Sequence, residues 1–90
     1  MRITSLEGFT ASDDGRFRCL SRTLPDNTFV CVTDLNGLDY PHETDFMVCA
    51  YVSEKGFYDD GACLASIGSW ENVSLADAIG IVIARSAEAI

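Results

Sequence analysis

Apolar and polar residues alternate along several short stretches of this chain, which is the pattern of β-strands with one buried face. The clearest stretch is 28–35, where Phe29 to Val32 are apolar on both faces, as in the central strand of a sheet. In chain order, the predicted strands are 2–9, 16–24, 28–35, 45–53 and 62–67. Segments rich in Asp, Asn, Gly and Pro lie between them and predict turns at 11–15 and 25–27 and wider loops at 36–44 and 54–61.

A helix is predicted over 75–89. Ser74 is a suitable N-cap, and Asp77 lies three residues later near the positive end of the helix dipole. One face of this helix would carry the apolar or small residues Leu75, Ala78, Ile79, Val82, Ser86 and Ala89. The sequence therefore predicts a single α+β domain, 1–90, in which an antiparallel meander of four to five strands carries one C-terminal helix on one face.

Composition narrows the class of protein. The chain has 90 residues, of which 48% are apolar and 10% aromatic, and a disordered segment would be poor in both. The longest apolar stretch, 76–84, is much shorter than the roughly 20 residues that span a bilayer. No apolar signal segment follows Met1, so we predict a cytoplasmic protein.

Charge is distributed unevenly along the chain. The formal net charge is −8; residues 1–24 contribute +1 from four bases and three acids, and residues 25–90 contribute −9 from two bases and eleven acids. Affinity for phosphates depends on Lys and Arg, so direct binding to nucleic acid is disfavoured, as is binding to anionic lipid. A basic protein surface would be attracted instead.

The cysteines and the single histidine offer little chemistry. Cys19, Cys31, Cys49 and Cys63 form no CxxC pair, and zinc sites usually draw their ligands as close pairs. All four lie in strand-like apolar runs, so we predict free, buried, reduced thiols, with two disulfides as the alternative.

No residue pattern predicts catalysis or a cofactor. His42 lies beside Glu43 and Asp45 and could act as a base or pair with Cys49 or Cys63, but no nucleophile motif accompanies it. The loop carboxylates do not match the spacing of a calcium loop. We therefore predict a protein that is not an enzyme and holds no cofactor or metal.

Acidic and aromatic residues occur together in the segments between the predicted strands. Tyr and Trp often anchor interfaces, and neighbouring carboxylates would suit a partner rich in Lys and Arg. These residues could equally fill the edge of the core. The predicted partner-binding residues are Asp39, Tyr40, Glu43, Asp45, Glu54, Phe57, Tyr58, Asp59, Asp60 and Trp70.

In size, acidity and β-plus-helix build, the whole chain resembles the small acidic phage-encoded inhibitors of the anti-CRISPR type. No motif carries this resemblance, so no residue roles transfer. It implies a DNA mimic in the cytoplasm of a bacterial host, which binds a basic surface of a larger protein or ribonucleoprotein such as a CRISPR–Cas effector complex. The alternatives are an immunity protein or antitoxin that neutralises a basic toxin, and a structural homo-oligomer, such as a homodimer through the C-terminal helix.

Overall fold

The computed structural model describes residues 1–59 and 61–89 and confirms the α+β fold. Two α-helices and a short 3-10 turn accompany a five-stranded sheet. In chain order the elements are β1 (Thr10–Asp13), β2 (Arg18–Thr23), β3 (Phe29–Thr33), β4 (Met47–Tyr51), α1 (Glu54–Asp59), β5 (Cys63–Gly68), the 3-10 turn (Ser69–Glu71) and α2 (Leu75–Ala89).

The sheet is the predicted antiparallel meander. Its strands follow the order β1-β2-β3-β4-β5, so each strand pairs with its neighbour in sequence and β1 and β5 form the two edges. All five residues of β3 are buried, as its apolar composition predicts for a central strand.

Helix α2 covers one side of the sheet, which we call the helix face. Leu75, Ala78 and Val82 of α2 are buried in one core cluster with strand residues such as Leu20 and Val48. The predicted N-cap is confirmed, since the Asp77 backbone N–H donates to Ser74 Oγ at 3.1 Å. Within the described residues, neither helix is long and apolar enough to cross a membrane.

The predicted N-terminal strand and the turn after it lie at the wrong residues. Residues 2–9 form no named strand, and the predicted turn at 11–15 lies largely within β1. A turn with Gly8 at φ +83° interrupts the extended run, and Phe9 N–H donates to the Leu6 carbonyl at 3.0 Å. The actual β1–β2 turn follows Asp14, whose carboxylate accepts the N–H groups of Arg16 and Phe17 at 3.0 and 2.7 Å.

The predicted loop at 54–61 is also wrong, because it contains helix α1. Ser53 caps this helix, with its Oγ accepting the Gly56 N–H at 3.0 Å, and Gly61 ends it in the left-handed conformation at φ +65°. Phe57 of α1 packs beside a second buried cluster made by Cys19, Phe29 and Cys31. Strand side chains alternate, so this cluster lies opposite the helix face; we call this second side the thiol face.

Candidate binding surface

Two arginines neutralise part of the predicted acidic surface. Arg2 lies 3.4 Å from the Asp34 carboxylate and 3.5 Å from that of Asp39. Arg18 lies 3.1 Å from Asp13 and 3.9 Å from Asp39. Asp39 is therefore held inside an ion-pair network of this chain. Sequence reasoning missed Arg2–Asp34, because no local spacing links residues so far apart in the chain.

The rest of the 36–45 segment offers little to a partner. Tyr40 is half-buried against the helix-face core, and its carbonyl accepts a hydrogen bond from Arg2 Nη1 at 2.7 Å. Asp45 is half-buried and joined to His42 through backbone hydrogen bonds. Glu43 is exposed at the turn between them. Of these predicted binding residues, Glu43 has the most accessible carboxylate.

The residues of α1 divide into an anchor and an exposed group. The Phe57 ring lies 4.8 Å from that of Tyr51, 5.2 Å from Phe29 and 5.9 Å from Phe17, measured between ring centroids. Such aromatic contacts hold α1 on the sheet, so Phe57 acts in packing. Glu54 and Asp59 are exposed, as is Tyr58 at 66% of its surface, while Asp60 lies outside the described residues. Lys55 forms an ion pair with Asp59.

Trp70 lies on the thiol face, on the 3-10 turn that follows β5. A Cβ added to Gly68 would lie 2.0–2.5 Å from three ring atoms of Trp70, so the indole occupies the side-chain position of that glycine. Gly68 is opposite Met47 in the sheet, and Met47 points to the same side as Cys49 and Tyr51. The indole remains 55% exposed. The structure therefore places both exposed aromatic side chains, Tyr58 and Trp70, on one side of the sheet.

The thiols do not form a reactive centre. Cys19, Cys31 and Cys49 are buried and free, as predicted, but Cys63 is exposed, contrary to the prediction. It begins the edge strand β5, where a neighbouring strand covers one side only. A hydrogen bond with Cys19 and burial raise the pKa of the Cys31 thiol, and burial raises that of Cys49.

The space beside these thiols is small. A cavity of about 40 Å³ lies under α1, and Cys31, Cys49, Thr33, Tyr51 and Phe57 contribute to its lining. That volume suits a water molecule or two and no larger substrate. Within residues 1–59 and 61–89, no group of three or more His, Cys, Asp or Glu side chains is arranged to hold a metal ion.

His42 lies apart from the thiols. Its Nδ1 is 3.0 Å from the Met1 carbonyl oxygen, and no hydrogen bond joins it to a cysteine among the described residues. The Cys–His pairing considered from the sequence is therefore not formed in this structure.

Comparison with known proteins gives no relative for this chain: no family model, curated protein or solved structure matches it.

Proposed function

We propose that this chain is a non-enzymatic binding protein that occupies a basic surface of a larger partner, such as the nucleic-acid-binding surface of a CRISPR–Cas effector complex. The observation that carries this proposal is an excess of acids without ion pairs, together with two exposed aromatic rings on the thiol face. Such rings supply contact area, and the acids attract and orient a basic partner.

Among the described residues, the ion pairs engage three of the six bases and four of the thirteen acids. Arg2, Arg18 and Lys55 are paired with four carboxylates, those of Asp13, Asp34, Asp39 and Asp59. Nine further acids within the described residues have no ion pair. They are Glu7, Asp14, Asp26, Glu43, Asp45, Glu54, Glu71, Asp77 and Glu88.

Two of these free acids adjoin the exposed aromatics. Glu54 begins α1, the helix that carries Tyr58, and Glu71 directly follows Trp70. Both carboxylates are exposed. We assign the partner-binding surface to the thiol face, with Tyr58 and Trp70 as anchors and Glu54 and Glu71 as the charged contacts.

Matched charge variants test the assignment. Glu54→Gln with Glu71→Gln removes two charges from the proposed surface, and Glu7→Gln with Glu88→Gln removes two exposed charges elsewhere. Each double variant is titrated into a purified CRISPR–Cas effector complex, and target-DNA binding is measured at low and high salt. We expect wild type and the Glu7/Glu88 variant to inhibit DNA binding and the Glu54/Glu71 variant to inhibit about tenfold less well, a loss equivalent to ~1.4 kcal/mol.

Salt gives an independent criterion. Attraction between exposed charges is screened as ionic strength rises, so inhibition should weaken with added NaCl. Inhibition that is independent of salt, or equal loss in the two double variants, would contradict the assignment. Failure to inhibit any effector, combined with rescue of cells from a basic toxin on co-expression, would favour the immunity-protein alternative.

A further inference from the structure

A cleft lined by three aromatic rings and one carboxylate lies between the β1–β2 turn and helix α1. Its volume is about 280 Å³, and the described residues that line it are Asp14, Phe17, Phe57 and Tyr58. We call it the aromatic cleft. Pockets that hold drug-sized molecules have volumes of roughly 300–1,000 Å³, so this smaller cleft suits a single long side chain.

The three rings present aromatic surface to solvent in more than one orientation. The centroid of the Phe57 ring lies 5.9 Å from that of Phe17, at an interplanar angle of 40°, and 4.9 Å from that of Tyr58, at 74°. Phe17 and Phe57 are half-buried, whereas Tyr58 is 66% exposed. The face of an aromatic ring attracts a cation, and the planar guanidinium of arginine also stacks on it.

Asp14 supplies a negative charge to the aromatic cleft. Its Oδ1 accepts the N–H groups of Arg16 and Phe17 at 3.0 and 2.7 Å, and these bonds lower the pKa of its carboxyl group. Oδ2 takes part in neither bond and remains available to a ligand. Partial burial and nearby negative charges, those of Glu54 and Asp14 among them, raise the pKa of the Tyr58 hydroxyl. Two carboxylates therefore act on the most exposed ring of the cleft.

No base of this chain lines the aromatic cleft among residues 1–59 and 61–89. Arg16 lies in the adjoining turn, but it is exposed and forms no ion pair with Asp14 in the described structure. The cleft thus offers aromatic faces and an unpaired carboxylate without a cation of its own. An arginine side chain is complementary to both features, because its guanidinium stacks on a ring and donates hydrogen bonds to a carboxylate.

We propose that the aromatic cleft binds an arginine side chain of the basic partner, with the guanidinium stacked on the Tyr58 ring and hydrogen-bonded to Asp14 Oδ2. This inference rests on the proposed function and names the group that the partner presents. It gives Tyr58 a specific role as an anchor and adds Asp14 to the charged contacts. The aliphatic part of the arginine would pack against Phe17.

The probe is N-acetyl-arginine amide, a single arginine without terminal charges. It is titrated into the wild-type protein while NMR follows the ring-proton signals of Phe17 and Tyr58. We expect saturable shifts of both rings with millimolar affinity, as suits a ligand of this size. N-acetyl-lysine amide should bind about fivefold more weakly, because its ammonium group does not stack on a ring. Unchanged ring signals, or equal binding of the two probes, would overturn the proposal.

Matched variants separate this site from the general effect of charge. Asp14→Asn removes the charge of the cleft, while its amide oxygen still accepts the N–H groups of the turn. Asp26→Asn makes the same change in the β2–β3 turn, where Asp26 accepts the Thr28 N–H at 3.0 Å. Tyr58→Leu removes a ring at an exposed position.

We expect Asp14→Asn and Tyr58→Leu each to weaken binding of the arginine probe about fivefold, and Asp26→Asn to leave it unchanged. The backbone amide spectrum of each variant shows whether it retains the native fold. Equal effects of the two Asn variants, or wild-type affinity in Tyr58→Leu, would overturn the proposal.

Three outcomes separate this inference from the proposed function. If the arginine probe leaves the ring signals unchanged while the protein inhibits an effector complex in a salt-dependent way, the arginine site is overturned and the acidic binding function stands. If the probe binds as expected but no effector complex is inhibited, the arginine site is supported and the proposed effector partner is wrong. If both results are positive, Asp14→Asn should inhibit about fivefold less well than Asp26→Asn. Equal inhibition by these two variants would overturn the placement of a partner arginine in the cleft.

Discussion

At the scale of single residues, the four cysteines differ in accessibility although their side chains lie on the same face. The central strands bury Cys31 and Cys49 directly opposite each other, whereas Cys63 lies on the edge strand β5 and is exposed. All four are free thiols in the structure, as the sequence predicted. The sequence could not predict the exposure of Cys63, because central strands and edge strands can have the same run of apolar residues.

Thiol labelling should therefore modify Cys63 first. Treatment of the native protein with iodoacetamide at neutral pH should label one cysteine rapidly, because the other three are shielded and the thiolate forms of Cys31 and Cys49 are disfavoured. Peptide mass spectrometry identifies the labelled site. Cys63→Ser should abolish the rapid phase, and rapid labelling of Cys31 or Cys49 in the native state would contradict the buried arrangement.

Alkaline pH should destabilise the protein, because burial disfavours the charged forms of side chains on the thiol face. Burial raises the pKa values of Cys49 and Tyr51 in the folded state above the ordinary values of 9.0 for Cys and 10.0 for Tyr. Above about pH 9, the unfolded chain therefore releases protons that the folded chain retains. The stabilisation from these groups is complete below that pH, and the free energy of unfolding decreases as the pH rises further. Each such group can contribute up to ~1.4 kcal/mol per pH unit.

Urea unfolding measured between pH 8 and pH 11 tests this expectation. Cys49→Ala should reduce the slope above pH 9, whereas Cys63→Ser, at an exposed position, should leave it close to that of wild type. A free energy of unfolding that stays constant across this range would show that the buried thiols and Tyr51 do not control alkaline stability.

At the scale of secondary-structure elements, the long periodic segments were predicted well and the short ones poorly. The bounds of α2 agree with the prediction at both ends because Ser74 marks its start and a long apolar stripe fixes its type. Helix α1 has six residues, fewer than two turns, and contains Gly56. It is therefore too short to show the helical repeat of apolar residues. Its stability comes from contacts of Phe57 with distant strands, which local sequence does not contain.

Gly80 in α2 provides a prediction at this scale. The residue is exposed, and a Cβ added there would meet nothing within 4 Å, so no part of the described chain approaches the helix closely at this glycine. Gly80→Ala should raise the free energy of unfolding by about 0.5–1 kcal/mol, because Ala favours the helix and restricts the unfolded chain.

Urea unfolding compared across protein concentrations checks this result. Ala84, also exposed in α2, offers the reverse control, since Ala84→Gly should lower stability by a similar amount. A Gly80→Ala protein that is less stable than wild type, with stability that depends on concentration, would instead indicate that α2 packs against a second copy at Gly80.

At the scale of the whole molecule, the net charge opposes folding, although it would attract the basic partner that we propose. The formal charge of −8 is confined to a molecule with principal extents of 35 × 30 × 22 Å. Composition alone predicted this charge, but not its arrangement. Folding pairs Asp34 and Asp39 with Arg2 and leaves Glu54 and Glu71 free. Which acids remain without an ion pair depends on how folding brings distant residues together, and the sequence does not show this.

Salt should therefore stabilise the free protein and weaken the complex that we propose. Raising NaCl from about 0.01 M to about 1 M shortens the screening length from about 30 Å, comparable to the molecule, to about 3 Å. Repulsion among the free acids is then screened, and the exposed ion pairs that are also weakened contribute little. We expect the Tm at pH 7 to rise by about 4–8 °C for each ~1 kcal/mol of repulsion removed.

The pH dependence of the salt effect separates charge repulsion from a general effect of salt on apolar surface. Near pH 4.2, the isoelectric point of the sequence, net repulsion disappears, so thermal unfolding there should show little change with NaCl. Equal rises in Tm at pH 7 and pH 4.2 would assign the effect to apolar burial. A Tm that falls with salt at pH 7 would mean that the Arg2 and Arg18 networks outweigh the repulsion, and the free acids would then be too dispersed to form a single binding surface.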